Sequence, residues 1–290
     1  MNNRLALGTA QFGQAYGVAN QIGKVSRPEV EAMLHLAVTN GFDTLDTAIS
    51  YGDCEETLGK VGVRGFMLVT KLPEVPKGCA NVSHWAHDQV VASLARLGVS
   101  SLYGLLLHRP AQLLGSQGKK FYRTLQELQD KGLVQKIGVS IYNPGDLEEI
   151  SKAFSFDLVQ APFSLVDRRL QKTGWLKKMK DKGVEVHTRS AFLQGLLLMS
   201  PKIIPAKFAF WSDLWSRWQS WLTEHKSSAV ATCLAFPLSF PEIDRVVVGS
   251  DSVSQLTQII EATKNLPAGD FPEISSDDES LVDPSRWAVI

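Results

Sequence analysis

Short apolar runs alternate with amphipathic segments eight times along this chain. The predicted strands lie at residues 5–9, 42–45, 66–70, 102–107, 134–139, 157–160, 184–188 and 245–248, and a predicted helix follows each of them. Strands that alternate with helices favour a parallel sheet, because each helix carries the chain back to the same end of the sheet. In 290 residues, eight such units fit a closed (β/α)₈ TIM barrel better than an open doubly wound sheet. The sequence therefore predicts an α/β fold with a single domain over residues 1–290.

Capping residues and glycines mark several helix boundaries. Ser26-Arg27-Pro28-Glu29 predicts a helix start with a capping serine, and Gly41, Gly132 and Gly183 predict helix ends. Further helices are predicted at residues 55–58, 82–97, 119–131, 146–154, 170–182, 211–224, 227–237 and 252–264. The residues after Asn265 are rich in Pro, Gly, Asp and Ser, which predicts an irregular tail that closes over the barrel mouth.

The charge and hydropathy of the chain exclude some classes of partner. Thirty basic and thirty acidic residues give a formal net charge of zero, without a long run of either sign, so a nucleic-acid-binding surface is not predicted. No apolar run approaches the length that spans a membrane, and the N-terminus lacks the apolar core of a signal peptide. We therefore expect a cytoplasmic protein that binds neither nucleic acid nor membrane.

The cysteine and histidine spacing does not predict a metal site. Cys54, Cys79 and Cys233 are odd in number and far apart, which favours free thiols over a disulfide framework or a zinc site. His84 and His87 have a metal-like spacing on a predicted helix, but no carboxylate or cysteine partner is evident near them. A surface pair is the favoured interpretation.

Polar side chains occur where three predicted strands end. Asp46 and Lys71 each follow an apolar run, His108 follows Leu105-Leu106-Leu107, and Tyr51 lies on the turn after Asp46. In a (β/α)₈ barrel the carboxyl ends of the strands form the face that carries the reactive groups. The sequence therefore predicts that these four side chains lie together at the barrel mouth.

The same four residues could reduce a carbonyl group. Tyr51 is the candidate proton donor, but a phenol with a pKa of about 10 needs a nearby cation to favour its anion. Lys71 is expected to lower the pKa of Tyr51, Asp46 to pair with Lys71, and His108 to donate a hydrogen bond to the carbonyl oxygen. Taken singly, they could be a turn cap, a half-buried aromatic, a solvated strand end and a core histidine. The set of four favours an active site.

This set, in this order, resembles the aldo-keto reductase family. The matching segments, which cover nearly the whole chain, are Gly41-Phe42-Asp43-Thr44-Leu45-Asp46-Thr47-Ala48, Tyr51-Gly52, Glu55, Leu58-Gly59, Val69-Thr70-Lys71-Leu72, Leu107-His108-Arg109-Pro110, Gly138-Val139-Ser140, Val159-Gln160 and Val247-Val248-Gly249-Ser250. The resemblance implies an enzyme that transfers hydride between a nicotinamide cofactor, with NADP(H) favoured over NAD(H), and an aldehyde or ketone. It implies no metal.

The resemblance also implies an extended dinucleotide across the barrel mouth. The first strand ends in Gly8-Thr9-Ala10-Gln11-Phe12-Gly13, which lacks the Gly-x-Gly-x-x-Gly of a Rossmann unit. The implied cofactor-binding residues are Gly8, Thr9, Asp46, Ser140, Gln160, Arg189, Ser190, Phe192, Leu193, Gly195, Gly249, Ser250, Ser252 and Gln255. Ser140 and Gln160 match the carboxamide positions, and the segments after residues 189 and 249 match the phosphate-binding ones.

Three positions depart from the family pattern. Ile141 replaces the usual asparagine of the carboxamide site, and Arg189 replaces an aromatic residue that stacks on the nicotinamide. A guanidinium plane can also lie flat on a ring. Asp251 occupies a position where many NADP-specific relatives have an arginine. Because a carboxylate repels a 2′-phosphate and accepts ribose hydroxyls, NAD(H) stays open.

Two other functions remain open on the sequence alone. A nicotinamide-binding redox sensor that acts through a partner, like the channel β-subunits, would keep the same fold and cofactor. A metal-dependent hydrolase should show paired histidines at a strand end, and none is seen. Tryptophans at 211, 215, 218 and 221 have helical spacing, which favours a packing face over a sugar platform. A sugar-derived carbonyl is the favoured substrate class, and the sequence does not specify an oligomeric state.

Overall fold

Eight parallel strands form a closed barrel in their order along the chain. The structure, a computed structural model, describes residues 4–287. The strands are β1 Leu5–Gly8, β2 Thr44–Asp46, β3 Met67–Leu72, β4 Leu102–Leu107, β5 Val134–Ser140, β6 Leu158–Pro162, β7 Glu185–Arg189 and β8 Arg245–Gly249. Leu7 of β1 pairs with Leu45 on one side and with Val248 on the other, which closes the barrel. The predicted (β/α)₈ fold is confirmed.

Helices surround the barrel. They are α1 Ala10–Gly13, α2 Arg27–Thr39, α3 Cys54–Val61, α4 Val82–Leu97, α5 Gly118–Asp130, α6 Gly145–Ile150, α7 Arg169–Lys172, α8 Trp175–Asp181, α9 Ser212–Glu224, α10 Ala229–Leu238, α11 Val253–Lys264 and α12 Glu279–Val282. Short 3₁₀ helices cover Pro110–Leu114, Leu196–Leu198, Pro201–Ile203, Ala206–Trp211 and Pro284–Arg286.

Some predicted boundaries were wrong for local reasons. The helix predicted at residues 170–182 is divided into α7 and α8, because Gly174 adopts a left-handed conformation with φ of 75°. Strand β2 begins two residues later than predicted, so Asp46 is its last residue rather than the residue after it. Ser26 occupies the N-cap position of α2 as predicted, but its side chain accepts no capping hydrogen bond.

The inside of the barrel is filled with side chains, so the fold forms no pore. Val69, Leu106 and Leu158 form a separate apolar cluster there, with Tyr103 packed against it. A Cβ atom at Gly104 would lie 3.0 Å from Leu158 Cδ2. Ligands therefore have access only to the ends of the barrel, and the C-terminal ends of the strands carry the predicted site.

The predicted packing role of the tryptophans is confirmed for two of them. Trp215 and Trp218 of α9 are buried, and their indole nitrogens donate to the carbonyl oxygens of Phe208 and Leu197 at 2.9 Å each. The three cysteines are free thiols. No helix within residues 4–287 is long and apolar enough to cross a membrane.

The tail after α11 runs along the rim of the barrel mouth. Glu279 accepts a hydrogen bond from Asn143 at 2.6 Å, Ser276 donates to the carbonyl of Val166 at 2.8 Å, and Asp278 accepts from Trp211 at 3.1 Å. These partners follow β5, β6 and β7. The tail is largely irregular, as predicted, but its described residues do not line the cavity at the mouth. It supports the surrounding loops from outside instead of closing the mouth.

Candidate active site

A buried ion pair lies at the centre of the mouth. Lys71 Nζ is 2.8 Å from both carboxylate oxygens of Asp46 and 2.8 Å from the carbonyl oxygen of Thr47. Buried charges need both an ionic partner and hydrogen bonds to offset the loss of water, and this pair has both. An ammonium has three N–H donors, and these three acceptors occupy all of them. The predicted pairing of Asp46 with Lys71 is therefore confirmed.

Tyr51 lies against this pair without a hydrogen bond from Lys71. The ammonium nitrogen is 5.3 Å from the centre of the Tyr51 ring. Burial raises the pKa of Tyr51 well above its usual value, the Asp46 carboxylate raises it further, and the Arg189 charge opposes them. The lowered pKa that contact between Lys71 and the phenol was predicted to produce is not found, because burial and the Asp46 carboxylate raise the pKa of Tyr51 and the donors of Lys71 go to Asp46 and Thr47. Tyr51 therefore holds its proton at neutral pH.

Two glycines fix the position of the Tyr51 turn. A Cβ atom at Gly13 would lie 1.8 Å from the carbonyl oxygen of Tyr51, and one at Gly52 would lie 2.3 Å from the carbonyl oxygen of Gly13. Gly52 also has a positive φ of 56°. Cys54 donates its backbone N–H to the Tyr51 carbonyl at 3.0 Å. The close backbone contact between α1 and the turn before α3 thus holds Tyr51 in place at the barrel mouth.

His108 lies edge-on to Tyr51, with ring centres 6.0 Å apart at 77°. Burial lowers the pKa of His108 to about 4, and the charges of Lys71 and Arg189 lower it in the same direction. The ring is therefore neutral near pH 7. Its Nδ1 atom lies 3.3 Å from Ser50 Oγ. When the hydroxyl donates to Nδ1, the ring proton resides on Nε2, and this N–H is free to donate to a carbonyl oxygen.

Ser140 and Gln160 extend the hydrogen-bond network inside the barrel. Gln160 Nε2 donates to Asp46 Oδ1 at 2.6 Å, and Ser140 Oγ donates to Gln160 Oε1 at 3.3 Å. Both side chains are fully buried. In this geometry they hold the Asp46 carboxylate in place, and they do not line the cavity described next. Their predicted contact with a carboxamide stays a prediction.

A cavity of about 530 Å³ extends from Tyr51 and Asp46 across the loops that follow β1, β7 and β8. Ten of the residues predicted to bind cofactor line it: Gly8, Thr9, Asp46, Arg189, Ser190, Phe192, Gly195, Gly249, Ser250 and Gln255. Four do not: Ser140, Gln160, Leu193 and Ser252. Of the four predicted catalytic residues, Asp46 and Tyr51 line the cavity. Lys71 and His108 do not line it, but Lys71 donates to Asp46 and the His108 ring packs against Tyr51.

Backbone strain is concentrated in the loop after β7. Ser190, Leu193 and Gln194 have positive φ values of 67°, 48° and 51°, although none of them is a glycine. Left-handed backbone costs most L-residues on the order of 1–2 kcal/mol each, and such strain clusters at ligand sites. Gly195 closes the loop, where a Cβ atom would lie 2.4 Å from Ala19 Cβ. The loop is thus folded tightly over one side of the cavity.

The other side of the cavity is the start of α11. Ser252 caps this helix by accepting a hydrogen bond from Gln255 N at 3.2 Å, and Ser250 Oγ donates to the Ser252 carbonyl at 2.8 Å. Gly249 leaves room for Gln11, whose Nε2 would lie 2.6 Å from a Cβ at that position. Val253 N already donates to Glu29 Oε1 at 2.6 Å, so what this helix start offers a phosphate is its positive dipole end and its small residues.

The comparisons with known proteins identify the family. The model of the aldo/keto reductase family matches residues 4–279. The chain belongs to this family. Aldo-keto reductases are oxidoreductases that use nicotinamide cofactors, so the family agrees with the arrangement of Asp46, Tyr51, Lys71 and His108.

Curated aldo-keto reductases match part of this chain. One from Mycolicibacterium vanbaalenii is 34% identical over 136 residues, which are 44% of this chain and 46% of that protein. One from Mycolicibacterium paratuberculosis is 33% identical over 125 residues, which are 41% of this chain and 42% of that protein. The chain therefore spans less than half of the length of the curated relatives that it matches.

Solved aldo-keto reductases share the whole fold. The holo form of an enzyme from Bacillus halodurans superimposes with a TM-score of 0.73 at 20% identity, and covers 92% of this chain and 88% of its own. A putative aldo-keto reductase from Pseudomonas aeruginosa gives a TM-score of 0.66 at 20% identity, with coverages of 89% and 88%. At such identities the likeness concerns the fold alone.

This aldo-keto reductase has cavity residues that the sequence did not single out. They are Gln11, Tyr16, Asn20, Gln21, Met199, Val230 and Gln258. Most belong to the loop between α1 and α2 or to α11. Burial raises the pKa of Tyr16 to about 12, so its phenol is protonated. The abundance of amide side chains between residues 11 and 21 was visible in the sequence, but the direction in which that loop folds was not.

The cavity of this aldo-keto reductase fits an extended polar ligand with two chemically different ends. One end carries Tyr51 and Arg189. The other carries Asp251, which accepts a hydrogen bond from Asn20 at 3.2 Å and whose backbone N–H donates to Gln255 at 2.9 Å. Burial raises the pKa of Asp251 from its usual value. A helix N-terminus and a tightly folded loop lie between the ends, where a dinucleotide would have its pyrophosphate.

Proposed function

We propose that this chain reduces an aldehyde or ketone with hydride from a nicotinamide cofactor, reversibly, and that Tyr51 is the general acid. The observation that carries the proposal is the position of Tyr51, which lines the cavity with its ring centre 5.3 Å from the Lys71 ammonium and 6.0 Å from the His108 ring. A proton donor must hold its proton until negative charge develops on the acceptor. Family membership and the cavity that adjoins Tyr51 support the same reaction.

The chain's own residues have complementary roles in the proposed reaction. When bound, the cofactor supplies the hydride. Tyr51 donates its proton to the carbonyl oxygen, and the resulting phenolate lies next to the Lys71 ammonium, which stabilises the new negative charge. Neutral His108 donates from Nε2 to the same oxygen and orients it. Gln160 and Lys71 hold Asp46, so the ion pair keeps its position while the proton moves.

The proposed cofactor site uses both sides of the cavity. Arg189, at the end of β7, donates from Nη2 to the Ile141 carbonyl at 2.9 Å, and this contact fixes the guanidinium beside the proposed nicotinamide position. The loop of residues 190–195 and the positive dipole end of α11 adjoin the proposed pyrophosphate position. Thr9 is buried and donates to the Asp46 carbonyl at 2.9 Å, which keeps β1 against the reacting end.

The charge of the cavity bears on the choice between NADP(H) and NAD(H). The resemblance favours NADP(H). Among the described residues that line the cavity, however, Arg189 is the only lysine or arginine, and it lies at the reacting end. The opposite end has the carboxylate of Asp251 together with Asn20 and glutamines. A 2′-phosphate would lack a cationic partner there, so we propose that this chain binds NAD(H) at least as tightly as NADP(H).

Two linked measurements test the proposal. Calorimetric titration with NADH and NADPH in parallel should give saturable binding of one or both, and an aldehyde panel followed by cofactor absorbance should give turnover. Tight binding without turnover of any aldehyde or ketone would contradict the reductase proposal and support the redox-sensor alternative. An absence of binding by either cofactor would contradict the assignment of the cavity.

A further inference from the structure

Two arginines meet one tyrosine near His108 at the barrel mouth. The guanidinium carbons of Arg109 and Arg189 lie 5.6 Å and 4.4 Å from the centre of the Tyr142 ring. Arg109 directly follows His108 at the end of β4, and Arg189 lines the cavity together with Tyr51. Both cations therefore flank the proposed proton donors, and they approach them from strands on opposite sides of Tyr142.

Neither arginine has an acidic partner in the part of the chain that the structure describes. Other arginines of the chain do, such as Arg96 with Glu55 at 2.7 Å and Arg169 with Asp167 at 2.8 Å. Arg189 donates to the Ile141 carbonyl and the Ser190 hydroxyl, which are neutral acceptors. The Arg109 guanidinium is exposed and makes no hydrogen bond to residues 4–287. With five N–H donors on each side chain, most of the donors at this corner are free.

The remaining groups at the mouth do not offset these charges. Asp46 and Lys71 cancel one another, and Tyr51 and His108 are both neutral near pH 7. Both arginines lower the pKa of His108, which shows that their charge reaches the imidazole. In a chain whose formal net charge is zero, the two unpaired arginines around Tyr142 therefore make the mouth beside His108 locally positive. Such a site attracts anionic substrates and repels cationic ones.

We infer that the carbonyl substrate bears a carboxylate, which Arg109 binds while the carbonyl oxygen faces Tyr51 and His108, and that Arg189 adds its positive charge from the nicotinamide side. A guanidinium matches a carboxylate in shape and binds it through two parallel hydrogen bonds, so an arginine at this position discriminates acids from their neutral analogues. The inference rests on the proposed reductase function and specifies the substrate class of that same site.

A matched pair of aldehydes tests the inference. The substrates 4-carboxybenzaldehyde and methyl 4-formylbenzoate share a para-substituted benzaldehyde and differ in one negative charge and one methyl group. Because the ester withdraws electrons more strongly than the carboxylate, the intrinsic reactivity of the two aldehydes opposes the expected preference. The wild-type kcat/KM should be at least about tenfold higher for the acid. Arg109→Gln should reduce this ratio towards unity, Arg109→Lys should retain part of it, and added salt should diminish it. Arg123→Gln, at an exposed arginine of α5 that pairs with Glu127, is the control and should leave the ratio unchanged.

The outcomes separate this inference from the proposed function. Equal use of the acid and the ester by the wild type, or an Arg109→Gln ratio equal to that of the wild type, would overturn the carboxylate assignment while the reductase stands. Turnover of neither aldehyde would instead contradict the reductase function. In that case calorimetry with terephthalate, an unreactive analogue of the acid, still decides the inference: binding that weakens at least about tenfold in Arg109→Gln supports it, and equal binding overturns it.

Discussion

Tyr51 is the residue that we propose as the general acid. Its phenol is protonated at neutral pH, so replacement by phenylalanine removes that proton and little contact area. We expect Tyr51→Phe to lower kcat by about 100-fold or more, the usual range for loss of a general acid, while the Kd for the cofactor changes little. Single-turnover kinetics beside calorimetric titration would measure both. A variant with wild-type turnover would eliminate Tyr51 as the acid.

His108 links the site to the stability of the protein at low pH. Its folded pKa of about 4 lies below the ordinary value of 6.5, so the unfolded chain takes up the proton first as pH falls. The contribution of neutral His108 to the unfolding free energy is complete above about pH 6.5 and is lost as the pH falls towards 4. Between about pH 7 and pH 4.5, the unfolding free energy of the wild type should fall by roughly 2 to 3 kcal/mol more than that of His108→Gln. Urea unfolding at both pH values would show it, and parallel pH profiles of the two proteins would contradict it.

Asp251 is the residue that should set cofactor preference. Its carboxylate lies at the end of the cavity opposite Tyr51, so an arginine there would supply the cation that a 2′-phosphate needs. We expect Asp251→Arg to shift the ratio of Kd values towards NADPH by about tenfold or more, and Asp251→Asn to shift it by a smaller amount. Calorimetry gives both constants. Unchanged ratios would mean that Asp251 does not face the ribose.

At the level of elements, the contact between α1 and the Tyr51 turn allows no side chain. We expect Gly13→Ala to destabilise the protein by about 1–3 kcal/mol and to lower kcat, because the added methyl group pushes the Tyr51 backbone away from α1. Gly115→Ala is a suitable control, since Gly115 has a negative φ of −77° and its Cβ would lie 3.3 Å from the nearest atom. Thermal unfolding and steady-state kinetics would compare the two. Equal behaviour of both variants would argue against a positional role for the glycine contact.

The elements that the sequence predicted well are those with a strong local signal. Helix α4 and strand β4 have the predicted bounds, because their apolar periodicity is continuous and Gly98 and His108 follow them at once. The sequence placed Asp46, Lys71 and His108 at strand ends because each comes at or next to the end of an apolar strand, although β3 continues one residue beyond Lys71. Local patterns could not predict that Asp46 and Thr47 accept all three hydrogen bonds of the Lys71 ammonium, since that depends on distances between strands. The sign of the Tyr51 pKa shift was missed for the same reason.

The cofactor cavity was predictable in part. Gly249 and Ser250 at the end of β8 and the segment after β7 were found through the family resemblance, whereas the α1 to α2 loop contributed three polar or aromatic lining residues that no local pattern indicated. Loops take their path from the elements that they connect, so the position of their side chains emerges only when the barrel closes. The sequence also could not predict that Arg109 and Arg189 meet at Tyr142, because the three residues lie at the ends of three different strands.

For the molecule as a whole, the cavity unites loops that are far apart in sequence. Residues near β1, β7 and β8 line it, so a bound cofactor should stabilise the entire fold against unfolding by mass action. At a cofactor concentration of about 100 times Kd we expect a gain of about 2.7 kcal/mol, seen as a higher Tm, for Tyr51→Phe as well as for the wild type. Thermal scans with NADH, NADPH and adenosine as a control would measure it. A Tm that does not respond to saturating cofactor would contradict binding at this cavity.

The loop from Ser190 to Gly195 limits how far the thermal stability of this protein can be raised without loss of ligand binding. Three residues of this loop, Ser190, Leu193 and Gln194, have left-handed backbone although none is a glycine, and glycine would relieve that local strain. A population of variants selected only for heat resistance is therefore expected to accumulate changes at positions 190, 193 and 194, and to lose affinity for cofactor as it does so. The same few backbone dihedral angles therefore affect stability and ligand binding in opposite directions, and an engineering programme should find that trade-off first in this loop.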